Sequence, residues 1–251
     1  MLALFKSHYS IGKSILTLND ASKVKDGGSD SIFQIALDNN LSEIILVEDS
    51  LIGFSEAYKR CTENNIKLVF GLRLSMRNSK EEADTESEHK IIIFAKNNQG
   101  CKLLNLIYSK AFTESNGYLT YEILEKVWDD THLKLAVPFY DSFLYTNLLK
   151  YGTNSIPNFN KIKPTFFIES NGLAFDSLLK YEVAEYASKN NHPTEKVKSI
   201  YYKNKKDAEA LMSYKIICNR SFGKTRSLSR PELAHFCSNE FSFESWKEQN
   251  A

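Results

Sequence analysis

An α/β fold, a largely parallel sheet or barrel wrapped by helices, is predicted by three observations. Short β-branched or aromatic runs alternate with helically periodic segments over most of the chain. Glu43-Ile44-Ile45-Leu46-Val47-Glu48 is a continuous apolar run between two acids, as expected when helices cover both faces of a strand. A length of 251 residues is ordinary for a single barrel.

The first clear unit runs from about Ile32 to Leu74. After the strand at 43–48, Phe54, Ala57, Tyr58 and Cys61 recur at i, i+3, i+4 and i+7, which predicts a helix with one apolar stripe ending at Asn64-Asn65. Lys67-Leu68-Val69-Phe70 reads as the next strand. Between Arg77 and Lys90 the chain is almost devoid of apolar anchors and cannot offset its ordering entropy by burial, so an exposed, mobile acidic loop is expected. Ile91–Ala95 reads as a buried strand, and Gln99–Phe112 as a helix with Leu103, Leu104, Ile107 and Ala111 on its inner face. Further strands are expected at Leu133–Val137, Thr165–Glu169 and Val197–Tyr202, with helices near Asp141–Lys150, Leu173–Lys189 and Lys205–Cys218. The whole chain, 1–251, reads as one domain, with a tail from about residue 220 that folds back onto it. Exposing Phe236, Phe241, Phe243 and Trp246 to water would be costly.

Composition narrows the classes of function. The formal net charge of +1 gives no global attraction to nucleic acid or anionic membrane, so any basic surface must be local. Cys61, Cys101, Cys218 and Cys237 lie far apart with no C-x-x-C pair, which argues against zinc knuckles and disulfide frameworks and suits a reducing cytoplasm. No apolar run approaches the roughly 20 residues needed to span a bilayer, and Met1–Lys6 lacks the layout of a signal peptide. Gly12-Lys13-Ser14 and Gly223-Lys224-Thr225 end like P-loops, but Ser7 and Cys218 stand where the earlier glycine belongs. The five histidines, His8, His89, His132, His192 and His235, show no H-x-H or H-x-x-E-H spacing, and no G-x-S-x-G elbow marks a nucleophile.

Five segments in order carry a resemblance. Lys6-Ser7-His8-Tyr9-Ser10-Ile11 looks like H-S-x-Y-S-L, and Leu46-Val47-Glu48-Asp49 looks like L-T-D-H. Ile66–Leu74 parallels I-K-P-I-x-G-x-E-V, and Ile91–Asn97 with Gly100, Leu103 and Leu104 parallels H-L-x-L-L-A-K-N-x-x-G-x-x-N-L. Ser199–Ala208 parallels D-V-H-Y-L-x-x-x-D-A. The chain thus resembles the polymerase-and-histidinol-phosphatase (PHP) domain of bacterial DNA polymerase III α subunits. That resemblance implies a distorted (β/α)₇ barrel whose strand ends, in active members, bind three metal ions and hydrolyse phosphoesters. Such a cage needs imidazoles and carboxylates, because clustered divalent ions lower the pKa of a bridging water and neutralise charge on phosphate.

Matched residue by residue, the cage is degenerate. Leu4 and Lys6 stand for the two opening histidines, Lys13 for the next ligand, Asp49 for the His of L-T-D-H, Arg73 for the Glu after the following strand, and Lys90 for a strand-opening His. His89, next to it, should point to the other side of its strand. Phe139 falls near a Cys or His position, and Ser199 and Tyr201 replace the final Asp and His. Only Glu48 and Asp49 remain good ligands, with His8 a distant third. Two consequences are open. The cations Lys6, Lys13, Arg73 and Lys90 pair with Glu48 and Asp49 in a network that needs no ion, or an excess of positive charge binds phosphate without hydrolysing it.

The expected function is that of a degenerate, non-catalytic PHP domain, a binding or scaffold module in DNA replication with no metal cofactor. The resemblance implies a replicase polypeptide or a proofreading exonuclease as partner. An active phosphoesterase using Mn²⁺ or Zn²⁺ through other ligands, and a phage-type mimic that captures host replication proteins, are the alternatives. For DNA or partner contact, Arg220, Lys224, Arg226 and Arg230 form a basic segment without intervening acids. Lys196, Lys198, Lys203, Lys205 and Lys206 beside Tyr201 and Tyr202 form a second, better read as a strand end with solvated lysines.

Overall fold

The computed structural model describes residues 1–24, 27–78, 87–149, 154–159, 162–218 and 238–250. In chain order the elements are β1 (Leu2–Phe5), α1 (Ile32–Asp38), β2 (Glu43–Glu48), α2 (Phe54–Glu63), β3 (Lys67–Arg77), β4 (His89–Ala95), α3 (Asn98–Glu114), β5 (Tyr118–Thr120), α4 (Tyr121–Glu125), β6 (Leu133–Val137), α5 (Phe143–Leu149), β7 (Thr165–Ile168), α6 (Asp176–Lys189), β8 (Thr194–Ile200), α7 (Ala208–Cys218) and α8 (Phe243–Asn250). Two compact units share these elements, one made of Met1–Val69, Ser170–Asp176 and Val197–Ala251, the other of Phe70–Glu169 and Ser177–Lys196.

Side chains that satisfy orphan backbone groups set the helix boundaries. Ser31 Oγ accepts from Gln34 N at 3.3 Å to start α1, Asn97 Oδ1 accepts from Gly100 N at 3.0 Å to start α3, and Thr120 Oγ1 accepts from Ile123 N at 3.4 Å to start α4. At the other end, Asn40, Asn65, Asn116 and Asn191 adopt left-handed φ values of 51° to 54° just beyond α1, α2, α3 and α6. Asparagine tolerates that conformation through local hydrogen bonding, so an Asn-rich chain can stop its helices without a glycine at each.

In the first unit β1 lies parallel to both β2 (Leu4↔Ile45) and β8 (Leu2↔Val197 through Phe5↔Ile200), and the start of β3 joins β2 through Lys67 N donating to Ser42 O at 3.0 Å. Phe5, Leu16, Leu18, Ile32, Leu46 and Ile200 form its core. Phe243 of α8 stacks on Phe5 at 5.9 Å, and Phe241 on Tyr201 at 5.5 Å, so these tail rings are part of that core.

In the second unit β4 runs antiparallel to both β3 and β6, whereas β6–β7 and β7–β8 are parallel. β5 adds to β3. A glycine at position 71 is required by the close face of β4, because a Cβ there would stand 2.6 Å from the Phe94 ring. The hydrogen-bonded strand order is β2-β1-β8-β7-β6-β4-β3, with an additional pairing of β2 with β3.

Several expectations change in detail. β3 runs to Arg77 rather than ending at Phe70, because residues 71–76 find a full antiparallel partner in β4. Residues 77, 78 and 87–90 of the expected acidic loop belong to or adjoin strands, and 79–86 lie outside the described residues. Tyr58 does not join the inner stripe of α2; it is 55 % exposed, with Ala57 and Cys61 inside. β1, α1, β5, α4 and α8 were not anticipated as elements, and β8 begins at Thr194 and ends at Ile200 instead of spanning Val197–Tyr202. Among the described residues no helix is long and apolar enough to cross a membrane.

Candidate functional site

β1 and β2 end side by side, and the turn after β1 wraps the acids that close β2. Ser7 N donates to Glu48 Oε1 at 2.8 Å, and Ser10 Oγ donates to Glu48 Oε2 while accepting from Asp49 N at 3.0 Å. Glu48 is fully buried. Burial raises its pKa above the usual value, against the opposing pull of Ser10, Ser7 and the Lys6 charge. Lys6, only 5 % exposed, reaches Asp49 Oδ1 with its ammonium at 2.9 Å. Lys6, Glu48 and Asp49 therefore share this strand end, with Ser7 and Ser10 both donating to Glu48.

In the second unit a row of polar side chains occupies alternate positions of β3. Arg73 is paired with Asp141, which follows β6 and adopts φ 61°. The Asp141 carbonyl accepts from Lys90 N at 2.8 Å. Lys90 Nζ donates to Ser75 Oγ, which donates to Glu88 Oε1 at 3.0 Å. Arg77 meets Glu88 Oε2 through Nε at 3.2 Å and Nη2 at 2.8 Å, and its guanidinium lies 4.2 Å from the centre of the Tyr118 ring. For Glu88 partial burial raises the pKa, but the hydrogen bonds from Arg77 and Ser75 and the nearby charges outweigh it and leave the carboxyl below its usual value.

The chain matches the PHP domain over residues 26–151, half of its length. It belongs to the PHP domain family. This PHP domain is also 26 % identical over 110 residues to the DNA polymerase III subunit alpha of Staphylococcus aureus strain Mu50, with the same figures for strain N315, and 24 % identical to that of strain MRSA252. Each match covers 43 % of this chain and 9 % of the relative. It is a PHP domain related to the polymerase III α subunit, with the α/β barrel fold of that family.

The positions matched to the metal cage are occupied as follows. Leu4 and Phe139 are core residues, with Phe139 completely buried. Lys13 is solvent-exposed rather than turned toward the acids. Tyr201 stacks on Phe241. Ser199 is partly buried on β8, opposite Leu4 of β1. Arg73 and Lys90 have Asp141 and Ser75 as partners, neither of which was anticipated. His89 is 2 % exposed, held by Ser87 O at 2.8 Å and Tyr121 Oη at 3.0 Å. Burial depresses its pKa to about 4, so it is a neutral core histidine on the far side of the strand from Lys90.

This donor set does not fit a cluster of divalent ions. An ammonium sits within hydrogen-bonding distance of Asp49, and both Glu48 oxygens already accept protein hydrogen bonds. Among the described residues no group of three or more His, Cys, Asp or Glu is placed to hold a metal.

Sequence reasoning missed Ser7, Ser10, Glu88 and Asp141. Glu88 was legible from period-two spacing with Lys90, and Asp141 from its place just after a strand. The serine clamp had no local signal, since Ser10 and Glu48 are 38 residues apart. Arg220, Lys224, Arg226 and Arg230 lie outside the described residues. The second basic stripe is not an open row of solvated lysines. Lys198 is completely buried with its ammonium 3.0 Å from Ser170 O, Lys203 pairs with Asp30 at 3.5 Å, and Lys205 pairs with Glu248 at 2.6 Å.

Proposed function

We propose that this chain is a non-catalytic PHP module that acts in DNA replication by binding other replication proteins, either a replicase polypeptide or a proofreading exonuclease. The observation that carries the reading is the Lys6–Asp49 contact beside the serine-clamped Glu48. An ammonium supplies positive charge to the strand end, and the two remaining acids are committed to protein partners. Hydrolysis of a phosphoester at this place would need groups that lower the pKa of a water and neutralise phosphate charge, and a single lysine paired to an aspartate does neither well. The polymerase III α relatives support a replication setting, and a fold that outlives its chemistry remains useful as a surface.

The deciding experiment combines metal analysis of the purified protein, phosphodiesterase assays with added Mn²⁺ or Zn²⁺, and co-purification from cells. The expected result is no hydrolysis above the blank, with a replicase subunit or exonuclease as a stable partner. Near-stoichiometric metal, with activity abolished in Glu48→Gln or Asp49→Asn, would overturn the proposal in favour of a metal-dependent phosphoesterase with unusual ligands. Capture of a replicase subunit that loses activity on binding would recast the module as a phage-type mimic.

A further inference from the structure

A cleft of about 690 Å³ opens in the second unit, between residues 156–159 and 162–163 on one side and the end of α6 on the other. None of the residues lining it belongs to the matched metal-cage positions. Among the described residues its walls combine the aliphatic Ile156, Pro157 and Ile162, the rings of Phe159, Tyr186 and His192, the amides of Asn158, Asn190 and Asn191, and one cation, Lys163. The rings form an ordered block. His192 lies nearly parallel to Tyr186 at 6.4 Å between ring centres and 20° between planes, while Phe159 meets His192 edge-on at 5.7 Å. Phe166 supports the imidazole from behind at 5.5 Å.

Polar groups in the cleft are only partly used by the protein. Asn190 Nδ2 donates to Tyr186 O at 2.8 Å, which leaves its Oδ1 as an acceptor. Nδ1 of His192 is shut off from solvent and makes no hydrogen bond, an uncommon state for a ring nitrogen in a folded interior. Burial and the charge of Lys163 depress the His192 pKa, so the imidazole is neutral at pH 7 and Lys163 is the charge that a ligand meets. Among the described residues no Asp or Glu lines the cleft.

Aromatic faces accept planar rings by stacking, side-chain amides match the donor and acceptor edge of a base, and an uncompensated lysine attracts phosphate. The volume lies within the range of small-molecule sites. We infer that this cleft binds a nucleotide, its base against the Tyr186 and His192 rings and within reach of the Asn190 and Asn191 amides, its phosphate on Lys163. A free nucleotide and one nucleotide of a single DNA strand present the same chemistry.

Calorimetric titration of the full chain with dAMP, deoxyadenosine, ribose 5-phosphate and an oligothymidylate tests this. Saturable binding of dAMP is expected, with deoxyadenosine and ribose 5-phosphate each weaker by about tenfold because each lacks half of the recognised chemistry. Lys163→Gln should weaken dAMP by about three- to tenfold and leave deoxyadenosine unchanged, since it removes a charge-assisted contact to phosphate alone. Asn191→Gly, which keeps the left-handed backbone at φ 54°, should weaken both. Both positions are exposed, so neither change threatens the fold, and a circular dichroism spectrum checks that. Tighter binding of the oligothymidylate per site than of dAMP, with the same loss in Lys163→Gln, assigns the cleft to a DNA strand, and the reverse order assigns it to a free nucleotide. No binding of dAMP or oligothymidylate at about 1 mM, the weak end of specific recognition, would overturn the inference. So would binding that both variants leave unchanged, or an acidic peptide binding as tightly as dAMP.

Discussion

Replacing Lys6 by methionine isolates the positive charge beside the acids that close β2. Methionine retains most of the buried aliphatic stem, so the change removes chiefly the ammonium that lies 2.9 Å from Asp49 Oδ1. A hydrogen bond to a charged group contributes about 1.5–3 kcal/mol, and severing a fully buried ion pair costs about 3–5 kcal/mol. The Asp49 side chain keeps 33 % of its exposure, so water compensates it in part and the expected loss is about 2 kcal/mol. For a chain of this length that lowers Tm by about 4–8 °C. Glu48 also loses the nearby positive charge that favours its ionised form, so its pKa should rise further. The assay is urea denaturation of the wild type, Lys6→Met, Asp49→Asn and the double variant. It is followed by circular dichroism and by fluorescence, since Trp246 reports the unit that holds Lys6 and Trp128 reports the other. The midpoint should fall without a change in slope, and the cycle should give a coupling of about 1–2 kcal/mol. A loss below about 0.5 kcal/mol, or single effects that simply add, would refute the claim that this lysine holds the strand-end acids.

Stability should respond to pH in two opposite ways. His89 has its folded pKa depressed to about 4 from 6.5, so the unfolded chain binds the extra proton and stability is lost as pH falls from about 6.5 toward 4, by up to about 3 kcal/mol. His89→Gln should flatten that limb in urea midpoints measured across the range, and an unchanged limb would count against a neutral buried imidazole. Glu48 has its folded pKa raised above 4.5, so the folded state holds its proton longer and stability declines as pH rises from about 4.5 through the raised value. Glu48→Gln should remove that decline and be neutral or stabilising at pH 7, whereas a large destabilisation there would mean that the ionised carboxylate is the better partner for the serine clamp. Gly100→Ala should cost about 2–4 kcal/mol, because the new Cβ would lie 2.3 Å from the His132 carbonyl oxygen and 3.2 Å from Ala95 Cα, both on backbone that cannot rotate away. Thermal melts check this, and a wild-type Tm would show that the first turn of α3 shifts freely.

Elements with a strong local pattern were legible in the amino-acid order. The run Glu43–Glu48 and the run Leu133–Val137 are strands with the expected bounds, because continuous β-branched and aliphatic residues have few alternatives once both faces are covered. Short elements were not. Tyr118–Thr120 is three residues long and is a strand only because Ser75, Met76 and Arg77 pair with it. β1 precedes the opening motif and is too short to show a period, and its strand state follows from having β2 on one side and β8 on the other.

At the site, residue identities alone set which side chains can donate and which can accept, with Lys6, Arg73 and Lys90 as cations and Glu48, Asp49 and Asp141 as acids. As long as they are protonated, Lys6, Arg73 and Lys90 cannot ligate a divalent ion, because a protonated nitrogen has no lone pair to give. Which acid each cation meets was decided by tertiary structure. Lys6 finds Asp49 because β1 and β2 end together, Arg73 finds Asp141 across 68 residues of chain, and Lys13 is left in solvent. The same holds for protonation. A glutamate is a glutamate in the sequence, but burial of Glu48 and its capture by Ser7 and Ser10 set its pKa. Chemistry resides in residue type, whereas pairing and pKa depend on distance and desolvation, and those exist only once strands far apart in sequence lie side by side.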